Sequence, residues 1–225
     1  MIIWLASGNK HKQQEVASIL AGHTIKLPAD AGITGFNPKE TGKSFAENAL
    51  IKARALFRLL NSKTSQAENL VLADDSGLCV DSMGGRPGIY SARYYGKDSW
   101  NGDESFRIES VVGKLKDEER NLLLLEELAS APSHEFGNNG QTRTCHFVCA
   151  MALLFSPDRF YLVQETMEGE IVSSADKIRG TWGFGYDPIV YLPELGRTVA
   201  ELSEEEKNLL SHRGKASRII AKFLQ

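Results

Sequence analysis

The sequence predicts an α/β protein, and three observations predict it. Its 225 residues are 42% apolar and 24% charged, which is enough for one large domain or two small lobes around a core. The chain opens as strand, tight turn and helix. Further on, short apolar runs alternate with segments whose apolar residues recur at helical spacing. The same composition excludes disorder, a collagen-like repeat and a disulfide-stapled miniprotein.

Ile2 to Ala6 reads as a short buried strand, punctuated by Ser7-Gly8-Asn9, and the next stretch carries Val16, Ile19 and Leu20 on one helical face. A second helix spans residues 44–60. Phe45, Ala49, Ala53, Leu56 and Leu60 recur there at helical spacing, the opposite face is polar, and Ser44 with Glu47 spells a capping box. Residues 70–73 form a second buried strand, expected to stop at Asp74-Asp75-Ser76-Gly77, a run of turn-forming residues, before residues 78–80 resume extended structure. Met83 to Gly88 is loop by composition. Residues 106–128 read as mostly helical, as two helices, and residues 133–139 as the most linker-like stretch. Strands are expected at 144–155, 160–166 and 169–172, followed by a Gly-aromatic loop from Gly180 to Asp187. At the end Ser203 and Glu206 cap a helix, Ser211-His212-Arg213-Gly214 breaks it, and Ile219, Ile220 and Phe223 face inward on a last helix.

Lys and Arg number 26 against 29 Asp and Glu, a formal charge of -3. Such a surface offers no electrostatic reason to bind nucleic acid or an anionic membrane, so any phosphate must be held locally. Cys79, Cys145 and Cys149 cannot all pair, and none lies in a zinc-like spacing. They read as reduced thiols of a cytoplasmic protein. The first ten residues lack a basic region and a long apolar run, so neither a signal peptide nor a membrane span is expected.

Three constellations carry chemistry. Ser7-Gly8-Asn9-Lys10-His11-Lys12 is a small-residue turn at a helix start with two ammonium groups, suited to an anion. Gly42-Lys43-Ser44 imitates the end of a Walker A loop but lacks its first glycine, and Gly180 to Gly185 fails the dinucleotide spacing. The second constellation is acidic: Glu40, Glu47, Asp74 and Asp75, with Asn48 and Lys52 four residues apart on the polar helix face. Hard oxygen donors beside phosphate suit magnesium. The third is Trp182-Gly183-Phe184-Gly185-Tyr186-Asp187 with Lys207, His212 and Arg213, where aromatics can stack on a base and polar groups can read its edges. An anion turn, an acidic metal candidate and an aromatic plate are the parts a nucleoside triphosphate requires.

The ordered blocks SGNKHK, ETGKSFAENALIKA, LADDSGLCVD, GGRPGIYSARY, GFGYDP and ELSEEEKNLLSHRGKA resemble those of the inosine/xanthosine triphosphate pyrophosphatases, which clear noncanonical purine nucleotides. The resemblance runs from the first strand to the last helix and implies one catalytic domain over residues 1–225. It implies an elongated two-lobed α/β fold, with a mixed sheet, a central active-site cleft and a homodimer. By the same resemblance Ser7, Gly8, Asn9, Lys10, His11 and Lys12 bind the triphosphate, and Ser76 and Lys52 contact phosphates. Glu40 and Asp75 hold magnesium, and Asp75 accepts a proton. Phe184, Gly185, Tyr186 and Asp187, with Lys207, His212 and Arg213, form the base and sugar pocket. The stretch from Lys97 to Arg143 is longer than in many relatives and carries no matching motif.

The implied reaction is attack of water on the α-phosphorus of ITP, dITP or XTP, giving a monophosphate and pyrophosphate. Arg213, a permanent donor, is expected to favour a 6-oxo over a 6-amino purine. The rival readings are a broad pyrophosphatase acting on canonical or pyrimidine triphosphates and a nucleotide-sensing or RNA-binding module without turnover.

Overall fold

A computed structural model describes residues 1–63, 69–96, 115–130 and 143–224. The expected linker at 133–139 and the first part of the expected helical region at 106–128 lie outside these residues. Seven strands form one sheet in the order β2-β1-β3-β4-β5-β6-β7. They are β1 (Ile2–Leu5), β2 (Thr24–Lys26), β3 (Leu70–Val80), β4 (Thr144–Ser156), β5 (Arg159–Ile171), β6 (Val190–Leu192) and β7 (Arg197–Thr198). The helices are α1 (Lys10–Ile19), α2 (Phe45–Lys63), α3 (Asp117–Ser130), α4 (Glu204–Leu210) and α5 (His212–Lys222). β1 pairs in parallel with β2 and with β3, whereas β6 pairs antiparallel with β5 and β7, so the sheet is mixed.

The chain divides into two compact units: residues 1–76, 148–167 and 206–225 in the first, and 77–147 and 168–205 in the second. The first is organised by alternation. Ile3 and Leu5 of β1, Leu70 and Leu72 of β3, and Cys149, Met151 and Leu153 of β4 share one core cluster with Val16 and Leu20 from the α1 segment. Their period of two puts them on one sheet face. Ala216, Ile220 and Leu224 join the cluster at helical spacing. In the second unit Leu124, Leu125 and Leu128 are the buried apolar residues of α3. Tyr94 donates its hydroxyl to Glu127 of that helix at 2.5 Å.

Several expected boundaries are corrected. β3 does not stop at Asp74; it runs unbroken through Asp75, Ser76 and Gly77 to Val80, because buried partners hold both carboxylates and the ladder outweighs the local turn preference. The two expected strands at 160–166 and 169–172 are one strand, β5. Gly169 marks close approach instead of a break: a Cβ there would lie 2.8 Å from Val190 Cγ1 and 2.9 Å from the Tyr191 carbonyl oxygen. β2 has no counterpart among the expected elements; it is three residues long, below the length at which periodicity registers. The expected helix break falls at Ser211 alone, between α4 and α5; His212, Arg213 and Gly214 already form the first turn of α5, with Ser211 as N-cap accepting the Gly214 N–H. Phe223 is exposed, stacked on Tyr161 at 3.9 Å between ring centroids, and Leu224 is buried in its place. The Ser44 box is half formed: Ser44 Oγ accepts the Glu47 N–H at 3.2 Å, but Glu47 Oε2 takes the Lys43 N–H instead of that of Ser44.

Candidate active site

The pleat of β3 decides the site. Successive side chains leave a strand on opposite faces, so Asp74 follows Leu70 and Leu72 toward α1 and α5, while Asp75 follows Val71 and Ala73 toward α2. Both lie in the first unit. Their carboxylates are 1% and 7% exposed by residue, yet neighbours in sequence are kept apart by the backbone between them.

On the α2 side, Lys52 Nζ lies 2.8 Å from Asp75 Oδ1 and 2.8 Å from Glu40 Oε1. Lys52 reaches both because it projects one helical turn beyond Asn48, which is itself fully buried. Asn48 donates to Asp75 Oδ2 at 3.3 Å and accepts the Gly42 N–H at 2.9 Å, so one amide ties the helix start to the carboxylate. A Cβ on Gly42 would lie 2.7 Å from Asn48 Oδ1. Burial pushes the Asp75 carboxyl above its ordinary value, and the Lys52 ammonium offsets this only in part. Burial also disfavours the Lys52 charge, but Asp75, Asp74 and Glu40 outweigh it and hold the ammonium protonated.

On the other face, Lys12 Nζ lies 2.9 Å from Asp74 Oδ2, and Arg213 Nε lies 3.3 Å from the same oxygen. Burial alone would raise the Asp74 carboxyl; the charges of Lys12 and Arg213 reverse that and hold it well below the usual carboxylate range. Arg213 is 1% exposed. It also donates to Ser76 Oγ at 2.8 Å and to Glu15 Oε2 at 2.5 Å. Its nitrogens are thus directed at protein oxygens. Glu15 Oε1 lies 3.1 Å from Lys207 Nζ as well. Burial opposes ionisation of Glu15, but Arg213 and Lys207 win and lower its carboxyl. His212 is buried, and burial with the Arg213 and Lys207 charges holds its imidazole well below its ordinary value, hence neutral. The nearby Cys149 thiol is pushed up to about 12 by burial and by Asp74, so it is an inert packing group.

The turn before α1 is capped from within. Asn9 Oδ1 accepts the N–H groups of His11 at 2.9 Å and Lys12 at 3.4 Å, and Ser7 Oγ accepts that of Asn9 at 3.1 Å. Gly8, Asn9, Lys10 and His11 are exposed. Phe184, Gly185, Tyr186 and Asp187 belong to the second unit. There Asp187 Oδ2 accepts the Phe184 N–H at 2.9 Å, and a Cβ on Gly183, whose φ is +92°, would lie 2.2 Å from that oxygen. Tyr186 donates to the Ser91 carbonyl at 3.2 Å.

Of the residues singled out in the sequence, the first unit therefore joins Lys12, Asn48, Lys52 and Arg213 to the Asp74-Asp75 pair directly, Glu40 through Lys52, Ser76 through Arg213, and Lys207 through Glu15 and Arg213. Glu15 was not singled out. Its signal was present all the same, three residues after Lys12 on one helix and so on the same face. Among the described residues no group of three or more His, Cys, Asp and Glu could hold a metal by itself. Glu40 and Asp75 do fit a magnesium ion of the kind that takes one or two carboxylates and completes its shell with substrate oxygens and water. A positive charge, the Lys52 ammonium, already lies within 2.8 Å of both.

The mixed sheet and this network define a class: an α/β protein with a strand-borne carboxylate pair locked into lysine and arginine, an arrangement suited to phosphoanhydride chemistry. Known proteins narrow it. A sequence model of the Ham1 family matches residues 3–223, and the chain belongs to that family. It is 42% identical over 225 residues to a dITP/XTP pyrophosphatase of Treponema denticola, covering 100% of this chain and 99% of that protein. It is 36% identical over 223 residues to a dITP/XTP pyrophosphatase of Bacillus subtilis, covering 98% and 96%. The structure of a Ham1 protein from Coxiella burnetii matches with a TM-score of 0.76 at 33% identity, over 100% of this chain and 98% of that one.

Proposed function

We propose that this chain hydrolyses dITP, ITP and XTP to the monophosphate and pyrophosphate. The observation that carries the reading is the split Asp74-Asp75 pair, with Lys12 on one side and Lys52 with Glu40 on the other, in a chain that resembles dITP/XTP pyrophosphatases over its whole length. Water attacks the α-phosphorus, a new P–O bond forms, and the bond to the bridging oxygen breaks, so that pyrophosphate leaves. Asp75 accepts the proton of that water. A carboxyl raised by burial is a better base than an exposed one. Lys10, Lys12 and Lys52, with Ser7 to Asn9, His11 and Ser76, bind phosphate oxygens.

Glu40 and Asp75 are the residues that would hold magnesium, which when bound offsets charge on the phosphates. Phe184, Gly185, Tyr186 and Asp187 are assigned to the purine and sugar, as are Lys207, His212 and Arg213. Arg213 favours a 6-oxo purine, and its anchorage to Asp74 and Glu15 fixes its orientation. Residues 1–225 work as one catalytic domain, as a homodimer in the cytoplasm. No helix among the described residues is long and apolar enough to cross a membrane.

The test is a panel of dITP, ITP, XTP, GTP and ATP with magnesium, read separately for pyrophosphate and orthophosphate. Pyrophosphate release favouring dITP, ITP and XTP, abolished by chelation and restored by magnesium, is expected. Orthophosphate release, equal rates on ATP, or binding without turnover refutes the reading.

A further inference from the structure

Helix α3 meets the Gly-aromatic loop of the second unit through two side chains one helical turn apart. Asp117 Oδ2 accepts the Gly185 N–H at 2.8 Å, and Asn121 Nδ2 donates to the Gly185 carbonyl at 3.1 Å. Positions i and i+4 share a helix face, so one helix grips both backbone polar groups of a single residue. Arg120 Nη1 lies 2.9 Å from Asp117 Oδ1 and steadies that acceptor. The adjoining loop groups have other partners, the Phe184 N–H in Asp187 and the Tyr186 hydroxyl in the Ser91 carbonyl. Gly185 has a φ of +65°, and among the described residues, its chain neighbours aside, no atom lies within 4 Å of where its Cβ would be. Its backbone is thus bare on that side and held from the other.

Asn121 is 3% exposed, and among the described residues its Oδ1 has no hydrogen-bond partner. A buried acceptor without a partner is destabilising, and an apolar side chain of similar size would avoid it. What the amide supplies here, and leucine could not, is the N–H to Gly185.

We infer that Asn121 and Asp117 are positioning residues for purine recognition: by clamping Gly185 they fix the pitch at which Phe184 and Tyr186 meet the base. This rests on the reading of the Phe184 to Asp187 loop as a base-binding segment. Neither residue acts on the triphosphate, so disturbing them raises KM and leaves the chemical step alone.

The experiment measures pyrophosphate release from dITP and XTP by the wild type, Asn121→Ala, Asn121→Asp, Asp117→Ala and Asp117→Asn. Inorganic tripolyphosphate, which has no base, serves as competitive inhibitor. Loss of the Asn121 donor is expected to raise KM about tenfold, the scale of one hydrogen bond, with kcat within about twofold. The inhibition constant of tripolyphosphate is expected to stay unchanged. Asp117→Asn keeps an acceptor for the Gly185 N–H and is expected to restore the KM that Asp117→Ala loses. Asn121→Asp keeps the volume and loses the donor, so it carries the test if the alanine variant does not fold. An unchanged KM in folded Asn121 variants, tripolyphosphate inhibition weakening in step with KM, or Asp117→Asn as impaired as Asp117→Ala overturns the inference. A wild type that releases no pyrophosphate from either nucleotide overturns the underlying functional reading instead, before any variant is compared.

Discussion

Replacing Arg213 by methionine removes the cation that joins Asp74 to Glu15, and the structure sets the expected cost. At the 3.3 Å separation from Asp74, the attraction is about 5 kcal/mol for an effective dielectric constant of about 20. Desolvation of both groups consumes much of that. Stripping one partner from a buried pair therefore costs about 3–5 kcal/mol in general. Here each carboxylate keeps a second cation, Lys12 at 2.9 Å for Asp74 and Lys207 at 3.1 Å for Glu15. The low end, about 3 kcal/mol, is the expectation. Urea denaturation at neutral pH of Arg213→Met, Asp74→Asn and the double variant measures it. The double variant is expected to be less destabilised than the sum of the singles by about 2 kcal/mol, since residues sharing a buried network couple. A loss below about 1 kcal/mol, the range of an exposed pair, or strict additivity, would refute the reasoning that Arg213 is the buried cation joining Asp74 to Glu15.

Asp75→Asn keeps the shape of the side chain and removes the proposed proton acceptor; turnover of dITP is expected to fall at least about a hundredfold in a pyrophosphate assay, and a near-normal rate removes Asp75 from the reaction. Gly183→Ala drives a methyl to 2.2 Å from Asp187 Oδ2 at a φ of +92°, so it displaces the carboxylate that caps Phe184, and a rise in KM for XTP is expected. Glu15 has its carboxyl lowered below the ordinary 4.5 on folding, burial being outweighed by Arg213 and Lys207. Its contribution to stability is complete above that value and is lost as pH falls through the lower, folded value. In urea titrations repeated at falling pH, Glu15→Gln is accordingly expected to lose less stability over that window than the wild type.

Local periodicity made part of this molecule legible. α1 and α2 follow from apolar spacing, and the Asn48 and Lys52 pair follows from an interval of four residues on one helix face. What was not legible was decided at long range. Asp74-Asp75-Ser76-Gly77 has the composition of a turn, and only partners elsewhere in the chain make it strand interior: Arg213 lies 139 residues from Asp74, and Lys52 lies 23 from Asp75. The narrowness of the break at Ser211, with His212 to Gly214 already helical, has the same cause. His212 and Arg213 look like polar residues at a helix break until Asp74 and Glu15 supply the buried charges that let the guanidinium enter the interior. Asn121 gave no motif, although its interval of four from Asp117, just before a run of four leucines on one helix, was there to be read.

The adjacency of the two aspartates also lets one segment serve as scaffold and, in the proposed reaction, as reagent. Paired titratable groups acquire different tasks when their surroundings push them apart. Here the pleat does the pushing: Asp74, between Lys12 and Arg213, is driven down and stays ionised, while Asp75, where burial outweighs the Lys52 charge, is driven up. No other spacing on one strand would do this without moving one carboxylate off its helix. Two residues apart, both would face the same side and compete for the same cations. A slip of β3 by one residue would turn Asp75 toward Arg213 and Asp74 toward Lys52, exchanging a permanent charge for a poised one. The parallel register that sets Leu5 against Leu72 and Trp4 against Val71 is therefore as much a part of the proposed chemistry as the carboxylates themselves.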